Sequence, residues 1–260
     1  MQHVAHINSP YQGANGFSSR LLSKYPPDIV LFDWDRTLFD NQHFTNWASR
    51  TFIELNFADP KPDPKDTSKL WRENQQLYCE TYFPPKTADD PGKTPADILA
   101  MWDPILREIS PENMRLLPGA METIAFLAKK SVRMGIASSK PDDMLKAEVE
   151  FFGITRHFDI ISGHKEGRKL KPDPSPLIDP LKELGIPLGN AWYAGDDLND
   201  YLAARSAGFL MHVIGEAHAA RIKERNDRED PKRMVYYHNT LGHFLQHLQP
   251  RIETTLSMPL

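Results

Sequence analysis

A single cysteine, Cys79, in a chain of 260 residues excludes an internal disulfide and a cysteine-rich zinc site, and favours a reducing compartment over secretion. Long hydrophobic runs are missing too. No window approaches the roughly 18 consecutive apolar residues of a membrane helix. The first 27 residues lack an apolar stretch after a basic start, so neither a membrane span nor a secretory signal is expected. A concentrated basic face is equally absent: the net charge is −4, which supplies no electrostatic footprint for nucleic acid or an anionic membrane surface. What is there suffices for a full core, with 40% apolar and 25% charged residues. By length it is one large domain, or one domain carrying a smaller insertion. The expected partner is a small molecule and the expected location is the cytoplasm. Oligomeric state is not legible.

Up to Pro27 the chain mixes Ser, Gly, Asn and Gln with little periodicity, and residues 1–27 read as a surface extension. From Asp28 the pattern changes. Ile29, Val30, Leu31 and Phe32 form a continuous apolar run, as suits a strand covered on both faces of a parallel sheet. Similar runs follow at 132–137, 158–161, 191–194 and 209–214, each closing on a polar residue or glycine. Between them, 121–130, 142–152, 175–184 and 198–207 carry apolar residues at helical spacing, with Gly153, Gly185 and Gly208 placed to end three of the helices. This alternation predicts an α/β fold, a doubly wound parallel (Rossmann-like) sheet with helices on both faces.

One interval is too long. From Asp33 to Ser138 the chain exceeds by about 70 residues the roughly 30 that a βαβ step needs, which predicts an inserted α-helical cap. The expected division is a core of 28–41 and 115–260 with a cap of 42–114. Three cap helices are predicted from apolar stripes: Phe44, Trp47, Phe52 and Leu55; Leu70, Trp71, Leu77 and Tyr78; and Ile98, Met101, Trp102, Ile105, Leu106 and Ile109. The last begins with Thr94 as N-cap, Pro95 at the first helical position and Asp97 near the dipole.

The first strand ends at two aspartates, Asp33 and Asp35. If extended geometry persists past Phe32, the two-residue period sends both off the carboxyl edge of the sheet, where ligands of open parallel sheets bind. Ser138 and Asp196 are likewise the first polar residues after apolar runs. A cluster of Asp33, Asp35, Asp196 and Asp200 cannot stay buried unpaired, and a hard cation resolves the repulsion. All-oxygen donors with room for water and phosphate suit Mg²⁺. Lys171, in the turn KLKPDPSP, supplies a second positive charge.

The set Asp33-Trp34-Asp35-Arg36-Thr37-Leu38, then MGIASSKP with Ser138, then Lys171 in KPDP, then AGDDLND with Asp196 and Asp200, resembles the haloacid dehalogenase superfamily of phosphotransferases. All four motifs of that superfamily occur in order, over roughly residues 28–41 and 115–215. LPGAMETIAFL and ARSAGF look like its phosphoglycolate-phosphatase-like branch, which carries a helical cap after the first motif. The resemblance implies that Asp33 is a nucleophile forming an aspartyl-phosphate, and that Asp35 is the general acid and then the base. It implies metal ligation by Asp33, the backbone carbonyl of Asp35, and Asp196, with Asp200 in support. Ser138 and Lys171 would hold the phosphoryl oxygens, with Thr37 bracing the loop at the phosphate site. Two departures stand out: Arg36 replaces a residue that is commonly Gly in relatives, and Asp197 beside Asp196 leaves the choice of ligand open.

Because the acid Asp35 accompanies the carboxylate cluster, phosphate-ester hydrolysis is favoured over dehalogenation, which needs only the nucleophile. A phosphomutase of the same chemistry and a catalytically silent binding relative are the alternatives. His243 and His247 are expected on the wet face of the helix TLGHFLQHL, so a zinc site with His238 is set aside. The run RIKERNDREDPKR reads as a solvated helix or loop.

Overall fold

The computed structural model describes residues 26–87, 90–231 and 235–256, with side chains as far as 253; the proposed extension lies, up to residue 25, outside them. The chain divides into two compact units, one ending at Phe39 and resuming at Leu116, the other spanning Asp40–Arg115. Among the described residues no helix is long and apolar enough to cross a membrane.

In the first unit, β1 (Ile29–Phe32) is wholly buried, as its unbroken apolar run requires. It pairs in parallel with β2 (Met134–Pro141) on one side and β4 (Ala191–Gly195) on the other. With β3 (Ile160–His164), β5 (Leu210–Ile214) and β6 (Val235–His238) they form a six-stranded, fully parallel sheet in the order β3-β2-β1-β4-β5-β6. The order reverses between β1 and β4, so the loops leaving these two strands diverge and open a crevice at their carboxyl ends. Alternation along β1 then feeds two cores. Ile29 and Leu31 pack with Leu177 and Leu181 of one helix, Ser175–Glu183, and with Tyr201 of another, Leu198–Ala207. Phe32 turns the other way, meeting Phe244 of the C-terminal helix Leu241–Leu256 edge-on at 6.2 Å. The doubly wound sheet expected from the sequence is therefore present.

The second unit holds α1 (Asn41–Asn56), α2 (Pro64–Glu73), α3 (Gln75–Tyr82) and α4 (Pro95–Leu106). Phe52 stacks on Trp102 at 4.3 Å, over a core that includes Ala48, Tyr78, Cys79, Ile98 and Ile105. Thr94 and Asp97 form a reciprocal capping box at the start of α4. The single second helix read from Leu70 to Tyr78 is two. Asn74 is extended, with φ −157° and ψ 96°, and its side chain caps α3 by accepting the Leu77 N–H at 2.9 Å. Leu55 and Leu77, assigned to apolar stripes, are 70% and 45% exposed.

Among the described residues, the first unit's α-helices are α5 (Ala120–Lys129), α6 (Asp142–Phe151), α7 (Ser175–Glu183), α8 (Leu198–Ala207), α9 (Ala219–Glu229) and α10 (Leu241–Leu256). The charged run that read as helix or loop is largely α9, whose Ile222 is buried.

The histidines differ from expectation. His247 on α10 is not on a wet face but packs 4.5 Å from the Tyr236 ring, beside His212 of β5 and His238 of β6. His212 is fully buried, with its Nδ1 3.0 Å from His238 Nε2. Burial, reinforced by the neighbouring imidazoles and Arg251, holds His212 well below the ordinary imidazole range and pushes His238 down to about 3. Between that value and the unfolded ~6.5, the unfolded chain binds more protons than the native one, so stability rises with pH in this window and is lost as pH falls. Urea denaturation at stepped pH is expected to show a slope of up to ~1.4 kcal/mol per pH unit per histidine below about pH 6.5. His212→Phe, which keeps an aromatic ring while giving up the contact to His238, should reduce the slope and leave the share of His238. An unchanged slope would show that His212 does not contribute to the acid limit.

Candidate active site

The chain leaves β1 in a tight turn. The Asp33 N–H still pairs with the Ala194 carbonyl at 2.8 Å, so the first residue beyond the strand remains tied to the switch point of the sheet. The carbonyl of Trp34 then accepts the N–H groups of Thr37, Leu38 and Phe39 at 3.3, 3.0 and 2.9 Å. To close this turn Arg36 adopts a left-handed conformation, φ 60°, which costs an L-residue about 1–2 kcal/mol and costs glycine little. That explains the Arg36 departure locally: the position suits glycine, and arginine occupies it under strain. The Arg36 guanidinium lies 3.1 Å from Asp196 Oδ2.

Lys171 is the hub of the site. Its ammonium, on a side chain 5% exposed, donates to Asp33 Oδ1 at 2.6 Å, Asp200 Oδ1 at 2.7 Å and the Tyr193 hydroxyl at 2.9 Å. Burial alone would lower its pKa, but Asp200 and Asp33 outweigh that and hold it well above the ordinary lysine range. Lys171 therefore stays charged at neutral pH.

Asp196 and Asp200 come from the β4–α8 junction. Asp200 Oδ2 accepts the N–H groups of Asp196 and Asp197 at 2.9 and 3.1 Å, while Asp197 Oδ1 accepts the Asp200 N–H at 2.9 Å. Asp197 is thus the N-cap of α8, in a capping box with Asp200. Gly195 is needed here, since a Cβ would meet the Asp200 carboxylate at 2.5 Å.

Asp33, Asp196 and Asp200 each present an oxygen within 4.8 Å of the others. Burial is the largest influence on Asp33, opposed by Lys171 and reinforced by Asp200, and pushes its carboxyl up to about 8. Burial and Asp200, opposed by Arg36, push Asp196 up to about 7. Among the described residues these three buried carboxylates pair with two cationic side chains, Lys171 and Arg36. A hard divalent cation fits this all-oxygen donor set, because it would displace the protons that burial otherwise holds there.

Ser138 on β2 follows Ala137, whose carbonyl accepts the Tyr193 hydroxyl at 3.0 Å; Ser138 is 5% exposed, and its Oγ accepts the Lys140 N–H at 3.2 Å. Thr37 is fully buried, its hydroxyl without a hydrogen-bond partner. The side chain of Asp35 does not join the three-carboxylate cluster. It pairs with Lys140, Nζ to Oδ1 2.9 Å, and Lys140 in turn pairs with Glu148 at 2.6 Å. Glu148 also accepts the Trp34 indole N–H at 2.6 Å.

Sequence reasoning missed Lys140, Glu148 and Tyr193. Lys140 was in plain view in MGIASSKP. Glu148 had a signal as well: on α6 it shares the buried stripe with Leu145 and Val149, and a carboxylate at such a position requires a partner. Tyr193 was concealed inside an apolar strand.

The model of the haloacid dehalogenase-like hydrolases matches residues 30–214. A phosphoglycolate phosphatase of Pseudomonas fluorescens is 34% identical over 204 residues, 77% of this chain and 74% of that protein. One from Escherichia coli K12 is 29% identical over 126 residues, 48% of this chain; like several other curated relatives, it is matched over only half its length. Among solved structures, a haloacid dehalogenase superfamily hydrolase of subfamily IA from Geobacter sulfurreducens superposes with a TM-score of 0.61 at 17% identity, covering 87% of this chain and 99% of that one. The last likeness speaks for the fold alone.

Proposed function

The chain belongs to the haloacid dehalogenase-like hydrolase family, and from that premise we propose that it hydrolyses a small phosphate monoester in the cytoplasm through an aspartyl-phosphate on Asp33, with Mg²⁺ as cofactor. The observation that carries this reading is the convergence of Asp33, Asp196 and Asp200 around a buried Lys171 ammonium. A structural ion pair needs one carboxylate per cation, whereas a site built for a dianionic phosphate needs surplus carboxylate for a metal and a fixed cation for the phosphoryl oxygens.

In the first step an Asp33 carboxylate oxygen attacks phosphorus, the bond to the ester oxygen breaks, and Asp35 delivers its proton to the leaving alkoxide. In the second, Asp35 takes a proton from water, the resulting hydroxide attacks the same phosphorus, and the Asp33 oxygen leaves with its electron pair. Lys171 and the Ser138 hydroxyl hold the equatorial oxygens where charge accumulates. Asp33, the Asp35 carbonyl and Asp196 would hold the Mg²⁺, which when bound would neutralise charge so that the dianion could approach the carboxylates. Asp200, with both its oxygens engaged by Lys171, Tyr193 and backbone N–H groups, positions the others. Substrate choice is assigned to the helical unit 40–115, in the role of a cap.

A panel of phosphate esters assayed for phosphate release tests the reading, with phosphoglycolate included because of the relatives' names. Turnover of at least one small ester is expected with Mg²⁺ and is expected to vanish with a chelator. No turnover of any ester, or turnover indifferent to chelation, would refute it.

A further inference from the structure

Glu148 stands apart from the four motifs, yet it is one of the most enclosed charges in the molecule, 1% exposed on the inner stripe of α6. Leucine there would extend the apolar surface of Leu145 and Val149 without any desolvation cost. Instead the carboxylate is met from two sides. The Trp34 indole N–H donates to Oε2 at 2.6 Å, and the Lys140 ammonium donates to Oε1 and Oε2 at 2.8 and 2.6 Å. Burial pushes the Glu148 carboxyl up, with Lys140 and the Trp34 N–H opposing. Lys140 is itself enclosed, its side chain 9% exposed and its ammonium 4.8 Å above the Phe39 ring. The same ammonium lies 2.9 Å from Asp35 Oδ1, an ion pair that falls outside hydrogen-bond alignment, and among the described residues Oδ1 has no hydrogen-bond partner.

The chain thus connects Glu148 to Asp35 by two routes, through Lys140 in space and through Trp34 along the backbone. Trp34 is fully buried, stacked on Phe39 at 5.7 Å, and lies between Asp33 and Asp35 in sequence. An indole and an ammonium locked on one fixed carboxylate leave the Asp33–Asp35 segment little freedom to rotate.

We infer that Lys140, anchored by Glu148, is a positioning residue for Asp35, fixing the rotation of its carboxyl so that its second oxygen carries the proton to the leaving group. Lys140 neither gives nor takes that proton. It holds Asp35 Oδ1 while the proton passes from the other oxygen to the ester oxygen, whose bond to phosphorus is breaking. The inference rests on the phosphatase reading and on Asp35 as its acid.

Leaving-group dependence separates the two. An alkyl phosphate needs its departing oxygen protonated; 2,4-dinitrophenyl phosphate releases a stable phenolate and does not. For Lys140→Met and Glu148→Gln, kcat/KM on an alkyl phosphate is expected to fall on the order of 10²-fold. On the dinitrophenyl ester it should fall less than about fivefold, because neither change removes a contact of Asp33 and the amide oxygen left by Glu148→Gln still accepts the Trp34 N–H. Lys140→Arg, which keeps the cation, should recover part of the alkyl activity. Equal losses on both esters would overturn the inference and make Lys140 a substrate-binding or structural residue. Should Glu148→Gln fail to fold, the two Lys140 variants still decide it. Asp35→Asn is the control: if wild type is active and this control shows no leaving-group dependence, the assignment of Asp35 as acid fails as well, whereas a wild type inactive on both esters refutes the phosphatase reading itself.

Discussion

Asp33→Asn is expected to reduce phosphate release from every ester the native protein cleaves by on the order of 10⁴-fold or more, with the fold preserved. The amide is isosteric with the carboxylate and can still accept from Lys171, but it cannot form the covalent link to phosphorus. Stability should not suffer much. The substitution removes one of three crowded carboxylates, and the Asp33 carboxyl already sits near 8 because burial disfavours its charge. Thermal unfolding near the native midpoint, together with loss of the acid-stable phosphoprotein trapped on quenching turnover, would establish the role. Residual turnover within about tenfold of native would assign the nucleophile elsewhere.

Lys171→Met is expected to cost about 3–5 kcal/mol of folding stability at pH 8 without added metal, besides roughly 10²–10³-fold in activity. Both figures follow from the same contacts, since the ammonium serves Asp33, Asp200 and Tyr193 at once. Removing it strands two carboxylates in the interior. Their response sets the pH dependence. A carboxyl whose folded pKa lies above its unfolded value binds more protons in the native state, so its contribution is present at low pH and lost as pH rises through the folded pKa. For Asp33 that window runs from the unfolded ~3.9 toward 8, and loss of Lys171 extends it upward. The deficit of the variant should accordingly shrink near pH 5 and be greatest above pH 8, as read from urea midpoints. A deficit independent of pH would mean that Lys171 matters for packing and not for charge.

Much of the fold was legible because buried parallel strands are apolar throughout and stop at polar residues; α8, Leu198–Ala207, matches its predicted span. Lateral strand order was not legible, because an apolar run does not say which neighbours flank it. The edge strand β6, Val235–His238, was missed for a related reason: half-covered and preceded by charged residues, it lacks the continuous hydrophobicity of β1. At the candidate site, Asp33, Ser138 and Asp196 could be picked out as the polar residues that close apolar runs, whereas Lys171 and Asp200 came from their turn and motif and not from hydrophobic punctuation. The orientation of Asp35 could not, since alternation past Phe32 assumes a strand, and the turn around the Trp34 carbonyl ends it. A helical periodicity likewise cannot foresee the extended backbone at Asn74 that divides α2 from α3.

The central place of β1 in the sheet bears on how the protein is made. Val30 pairs with Met134 and Ile29 with Ala191, so this strand must wait for flanking partners that lie roughly 100 and 160 residues further along the chain. Loop closure must be paid before those pairings return anything, which places the molecule among slow folders with high contact order. The segment that leads into the proposed nucleophile is thus an apolar ribbon whose cover comes only from distant parts of the chain, and there chaperone protection during translation would have much to guard.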